Sequence, residues 1–386
     1  MPAPLRRVAD FLRTESAGGA ALVAATVAAL LWANIGGDSY REFWSTQLSL
    51  PGPAHALNLG AWVNEGLMAI FFFVVGLEIK REVVDGELQA LRTAAVPIVA
   101  AIGGMVIPAL IYTAINGGTR VGQGWGVPMA TDIAFAIGVL RLAGPRVPRG
   151  VGLTLVTLAI VDDLGAIAVI AIFYSAGISL GWLAVALASA LLMVLMRRVA
   201  EHPLWYLIPA AIIWIAFERS GVHPTVAGVL IGFLTPLHTK SGTPILSVLE
   251  DRLHPWSSVV VVPLFALANA GIVVSVARLH TVVTSRLALG VVLGLAVGKF
   301  VGIVGGTWIA TRFGAQLPAG VTRRAVVAIG LLGGIGFTVS LFVAGLAFDG
   351  SDLGTAKLAI LATSVAMALL GTLCLRTIPP PPDAAT

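Results

Sequence analysis

The sequence predicts an all-α polytopic membrane protein with about twelve transmembrane helices, and three observations carry the prediction. Charged residues make up only 11% of the 386, against about 25% in soluble domains, too few to cover a globule with solvated groups. Hydrophobic residues reach 58% and the mean hydropathy is +0.95. The apolar residues also gather into runs of about 20, the length that crosses a bilayer core of about 30 Å. A β-barrel would show alternating polarity instead, so the spans are expected to be helices.

In chain order the runs lie near 16–36, 62–79, 95–115, 122–141, 150–175, 180–197, 204–218, 222–236, 256–276, 288–311, 325–348 and 355–376. Arg6, Arg7 and Arg13 precede the first, which exceeds the roughly 7–15-residue core of a signal peptide and is expected to be a retained helix. Residues 1–15 are then a cytoplasmic N-terminus, and 16–376 a single membrane domain. Residues 377–386, with Pro379 to Pro382, form a disordered cytoplasmic tail. Between the first two runs, residues 37–61 carry Pro51-Gly52-Pro53 flanked by Gln47, Leu48, Leu57 and Leu59, a hairpin-like loop expected on the external face.

Basic residues set the orientation. With the N-terminus inside and twelve spans, the external segments hold Arg41, Arg120, Arg219, Arg278, Arg286 and Lys357, and Lys299 falls within a span. The rest of the 24 Lys and Arg lie on the cytoplasmic side, the bias expected of an inner-membrane protein with both termini inside. Dispersed between apolar runs, these charges make no nucleic-acid footprint, so no nucleic-acid partner is expected. Cys374 is the single cysteine, which excludes an internal disulfide and a cysteine-based metal site. No cofactor is expected.

Ionisable residues inside spans each cost about 2.5–3.5 kcal/mol at a helix centre, so they mark function. Asp132, Asp162, Asp163 and Lys299 stand deepest. Three acids and one base cannot neutralise one another by pairing, so at least one carboxylate must bind a cation or carry a proton. Asp162 and Asp163 are adjacent in Ala159-Ile160-Val161-Asp162-Asp163-Leu164-Gly165 and point about 100° apart on a helix. They share one region and suit either protons or a hard cation bound through oxygen. Asp132 follows Pro128 and Thr131, where a proline break frees amides that Thr131 and Asp132 can cap. The glycine-rich Gly330–Thr338 stretch reads first as close packing and second as another break. Lys299 needs a buried partner, for which the three deep aspartates are the candidates. Glu78, Lys80, Arg81 and Glu82, His223, and Glu250 with Asp251 are grouped as cytoplasmic-edge regulators; the plainer reading of Glu78–Glu82 is a solvated helix end.

Five motifs in order, Val75-Gly76-Leu77-Glu78-Ile79-Lys80-Arg81-Glu82, Ala130-Thr131-Asp132-Ile133-Ala134-Phe135-Ala136, Val161-Asp162-Asp163-Leu164-Gly165-Ala166-Ile167, Pro263–Gly271 and Gly334-Ile335-Gly336-Phe337-Thr338, closely resemble the NhaA family of bacterial sodium/proton antiporters. The likeness runs from about residue 10 to 376. It implies twelve helices in inverted repeats, with interrupted fourth and eleventh helices crossing at the midplane. It implies Asp163 as the principal ligand of transported sodium or lithium, Asp162 as its partner in proton exchange, and Thr131 as a further ligand. Asp132 and Lys299 are implied to compensate half-helix dipoles, Lys299 also pairing with Asp162. Glu78, Glu82, His223 and Glu250 match positions tied to pH response. The resemblance further implies electrogenic export of sodium or lithium for more than one proton, a bacterial cell inner membrane, and a homodimer through the 37–61 loop. Glu65, where aspartate is expected, and Pro224 after His223 depart from the pattern and bear on the pH set-point.

The alternative is a sodium-coupled symporter of an organic solute on a related fold, which needs a further polar cavity not visible in the spans. The chain is not expected to be an enzyme. An intramembrane aspartyl protease needs two carboxylates brought together from separate helices, usually with a Gly-x-Gly-Asp motif; here the pair is adjacent on one helix and no such motif occurs.

Overall fold

Lipid offers backbone groups no partners, so a chain this apolar must satisfy its amides internally. The structure, a computed structural model, describes residues 3–48, 57–86, 91–142, 147–175, 177–197, 199–200, 202–318 and 320–378, and these are overwhelmingly helical. The centre of the 37–61 loop, with Pro51-Gly52-Pro53, and the tail from Pro379 lie outside the described residues. On either side of that centre, Gln47–Leu48 and Leu57–Asn58 pair as two antiparallel strands, Gln47 opposite Asn58 and Leu48 opposite Leu57.

Six helical segments among the described residues are long and apolar enough to cross a membrane: Ala17–Ile35, Ala94–Asn116, Gly150–Phe173, Arg286–Arg312, Arg323–Ala347 and Gly350–Arg376. The remaining apolar runs are shorter or broken. Leu180–Met196 and Leu207–Ser220 are single helices, and Pro224–Leu234 has only 11 residues, about 16 Å at 1.5 Å per residue. The run at 62–79 opens as a π-helical turn, Trp62–Leu67, before Met68–Val84. Large side chains such as Ile172, Leu180, Leu187 and Phe313 are exposed, as suits a surface whose solvent is hydrocarbon.

Two interruptions organise the centre. A 3-10 segment, Gly122–Met129, ends at Pro128-Met129, and Ala130 to Asp132 run without helical structure before Ile133–Leu142 begins. The helix Arg323–Gly333 stops at Gly334, and Phe337–Ala347 starts again after Gly336. The glycine run therefore ends a helix as well as packing closely. The two breaks bond to each other: Asp132 N donates to Ile335 O at 2.7 Å.

Glycine-to-glycine approach brings the flanking helices together. A Cβ on Gly103 would lie 2.2 Å from the Gly302 carbonyl oxygen, and one on Gly302 2.1 Å from that of Gly103. The helices Leu91–Asn116 and Lys299–Arg312 thus touch backbone to backbone, which lays the Lys299 chain beside Gly104. Gly228 and Gly232 do the same for Pro224–Leu234 against Ala69, Phe73 and Gly76 of Met68–Val84.

Candidate functional site

Asp162 and Asp163 sit mid-way along the unbroken helix Arg149–Phe173, and both are buried, at 0% and 2% exposure. Lys299, also fully buried, donates from Nζ to Asp162 Oδ2 at 2.6 Å. The sequence left three aspartates open as its partner; the fold selects Asp162. The Oδ1 atoms of both Asp162 and Asp163 are buried with no hydrogen-bond partner. Such orphaned acceptors are costly unless a proton or a cation meets them.

Thr131 and Asp132 stand where the two breaks cross. Thr131 Oγ1 donates to Gly333 O at 2.9 Å, and its hydroxyl and amide both face Asp162. Asp132 accepts from Phe135 N at 2.9 Å, the N-cap bond anticipated for the proline break. It also accepts from Thr338 N at 2.9 Å and Thr338 Oγ1 at 2.6 Å. One carboxylate therefore caps two half-helix N-termini, each carrying roughly half a positive charge. Thr338 belongs to a motif singled out in the sequence but given no role there; only the crossing reveals its bond.

The cluster Glu78, Arg81, Glu82 and Glu250 comes together at one end of the bundle, and it is not a solvated helix end. Glu78 and Glu250 are buried, at 7% and 3% exposure. Arg81 pairs with Glu250 and, at 3.1 Å, with Glu82. His254 Nε2 lies 3.4 Å from Glu78 Oε1, a residue the sequence reading missed because nothing in its local pattern marks it. Burial pushes the Glu250 carboxyl up, against the pull of Arg81 and His254. Lys80, pushed down to about 8 by burial and by Arg197, donates to Phe233 O at 2.9 Å and to Thr235 O. Arg197 Nε donates to Leu234 O at 3.0 Å, so two cations cap the C-terminal end of Pro224–Leu234.

His223 is placed elsewhere. It stands at the N-terminal end of that same helix, remote from the end Lys80 holds, and so cannot share the edge with Glu78 and Glu250. Its Nδ1 is 2.9 Å from Thr225 Oγ1, and its ring packs edge-on to Phe342 at 5.3 Å. Grouping by residue type misplaces it: with Arg219 external in the twelve-span count, the run at 222–236 starts from the external face and His223 stands at that end.

A cavity of about 840 Å³ lies at the His223 end, lined among others by Tyr40, Trp44, Glu65, Asn269, Phe342 and Lys357. No local pattern announces it, because its walls come from four distant stretches of the chain. Among the described residues no three His, Cys, Asp or Glu side chains form a metal cluster.

The profile of the family described as Na+/H+ antiporter 1 matches residues 9–375. The chain belongs to that family. A Na(+)/H(+) antiporter NhaA of Salmonella typhimurium is 44% identical over 377 residues, covering 95% of this chain and 97% of the relative. The Na(+)/H(+) antiporter NhaA 2 of Sorangium cellulosum is 43% identical over 415 aligned residues, covering 95% and 88%. The NhaA of Oleidesulfovibrio alaskensis is 43% identical over 432, covering 97% and 94%. The resemblance read from five motifs is thus a family relationship along the whole chain. With six apolar helices of spanning length, this antiporter-family chain is a multi-pass membrane protein.

Proposed function

We propose that the chain exchanges sodium or lithium for protons across the bacterial inner membrane by alternating access, electrogenically and under pH control. The observation that carries this reading is the buried Asp162–Asp163 pair, with one oxygen of each unpartnered and Lys299 bonded to Asp162. Asp163, with no hydrogen-bonded cation beside it among the described residues, is the principal ligand. Asp162 completes the site when Lys299 is displaced, and Thr131 offers a neutral oxygen from the adjacent break.

The exchange follows from charge balance. A sodium ion that occupies the carboxylates takes the place of the Lys299 ammonium at Asp162. That ammonium is then buried without a counter-charge, a costly state relieved by releasing its proton. A second proton leaves Asp163 as sodium arrives. Two protons move for one sodium, so net charge moves with each cycle. Asp132, bonded to the N-termini of two half-helices, lets their ends shift around the site without exposing bare dipoles. The Glu78, Glu82, Glu250 and Arg81 cluster, with His254, ties Met68–Val84 to Ile245–Trp256 and carries the pH response at that end; His223 carries it at the other.

The same reading takes the chain as twelve spans in inverted repeats, with both termini cytoplasmic, and as a homodimer through the paired strands of the 37–61 loop. The cavity serves as a vestibule rather than an organic-solute site, since Asp132, Asp162 and Asp163 do not line it. The test is reconstitution into liposomes holding a pH-sensitive dye. Sodium or lithium added outside drives proton movement with the wild type and none with Asp163→Asn. No proton movement with sodium, lithium or potassium across pH ~6–9, the span of perturbed carboxylate and histidine titrations, overturns antiport and turns attention to symport.

A further inference from the structure

The motif Pro263–Gly271 and the departure at Glu65 have no part in the buried site, yet both meet at the cavity. The π-helical turn Trp62–Leu67 brings Asn64 and Glu65 to its wall; such turns break the regular side-chain spacing and recur at functional sites. Asn269 closes the helix Val262–Asn269 on the facing side and is buried, at 8% exposure. Its Nδ2 donates to Asn64 Oδ1 at 2.7 Å and to Phe265 O at 3.1 Å. Two acceptors fix the amide orientation, and among the described residues no donor reaches Asn269 Oδ1. Glu65 likewise makes no hydrogen bond or ion pair among the described residues. The charge that acts on it is a second carboxylate, Glu218.

Cations do line the cavity, but none answers Glu65. Arg41 on the exposed rim is held by Asp38 at 2.7 Å. Lys357 also lines the cavity and makes no ion pair with Glu65 among the described residues. His223 is engaged with Thr225. Exposed Gly37, Arg41 and Ser45 line the rim, so the cavity opens to solution. Phe342 lines its inner part and lies five residues beyond Phe337, where the helix restarts after the break. That is about 7.5 Å along a helix at 1.5 Å per residue.

From this geometry we infer that Glu65, with the Oδ1 of Asn269, forms a second site for a small hard monovalent cation, sodium or lithium, on the path between the vestibule and Asp163. The proposal rests on the antiport reading for its role in transport, but its ligand chemistry stands on the cavity alone: a carboxylate and an amide oxygen, completed by water. Held there, an ion leaving the buried pair passes to a partly hydrated intermediate stop instead of crossing the aromatic contacts around Phe342 in one step.

The test uses the full chain in detergent and in liposomes. In detergent, Asp163→Asn removes the buried ligand, and sodium-23 NMR line broadening then reports the vestibule. Broadening that persists in Asp163→Asn, is displaced by lithium and is lost in Asp163→Asn/Glu65→Gln supports the site. Equal broadening with and without Glu65 overturns it. In liposomes, Glu65→Gln raises the sodium concentration for half-maximal exchange about fivefold, the factor expected for loss of a partly exposed ionic contact. Glu65→Asp restores it, and Asn269→Ala gives a smaller rise in the same direction. Unchanged half-saturation in Glu65→Gln and Asn269→Ala, with exchange intact, sinks this site and leaves antiport standing. Glu65-dependent broadening in a protein that moves no protons would do the reverse.

Discussion

Lys299 and Asp162 form an ion pair with both side chains fully buried, at 2.6 Å. Such a pair contributes little net stability, because desolvation offsets attraction, yet removing one partner strands the other charge. Lys299→Ala should therefore cost about 3–5 kcal/mol, seen as a lower apparent melting temperature in detergent. Lys299→Met combined with Asp162→Leu should recover most of that loss while exchange in liposomes stays abolished. Stability recovered without function would show that the pair is kept for transport; a double variant as unstable as Lys299→Ala would argue that it is a structural brace. Asp163 differs from its neighbour in kind: it has no direct ammonium partner, which is why the loss of proton movement is assigned to Asp163→Asn first.

At the scale of elements, position is set by where helices stop and how closely they approach. Asp132 and Thr338 join two broken segments, while Gly103 and Gly302 let Leu91–Asn116 and Lys299–Arg312 touch along their backbones. A side chain at Gly302 has only a carbonyl and backbone atoms to push against, so it must move a helix, and Lys299 moves with it. Gly302→Val should lose about 1–3 kcal/mol, as overpacked interfaces do, and should raise the sodium needed for half-maximal exchange. Gly305, three residues on in the same helix, meets nothing within 4 Å of an added Cβ. Gly305→Ala should be neutral or stabilising by up to about 1 kcal/mol from helix propensity. Melting curves and liposome titrations of the two variants check the contrast, and equal behaviour would remove close packing as the reason Lys299 sits where it does.

For the whole molecule, the two ends of the bundle carry different groups. One end gathers Glu78, Arg81, Glu250 and His254; the other holds the cavity with Glu65, Asn269 and His223. The paired strands Gln47–Leu48 and Leu57–Asn58 stand beside the cavity end, where Trp44 and Asn58 line its wall. A two-stranded ribbon has unpaired edges that invite a second copy. Replacing residues 47–58 by a short glycine-serine link should shift the protein in detergent from dimer to monomer, measured by light scattering. Exchange per chain should persist, since no residue of the buried site lies on the ribbon; an unchanged dimer would place the interface elsewhere.

Much of the buried site is legible in the sequence, and for a plain reason. Lipid as solvent makes each buried charge expensive, so Asp132, Asp162, Asp163 and Lys299 stood out by depth alone, and the proline before Asp132 announced a break. Composition also fixed the helical class, because only helices satisfy such an apolar backbone. Read along the chain alone, the residues name which side chains carry charge into the membrane and the family those motifs belong to. The tertiary structure decided who meets whom: Lys299 with Asp162, Asp132 with Thr338, Glu78 with His254, His223 with Phe342 at the far end, and Asn64 with Asn269 beside a cavity. Those partners lie far apart in the chain, and hydropathy is a local quantity along it. Contacts between distant spans are fixed by where helices break and where glycines let them approach, and these are properties of the packed bundle.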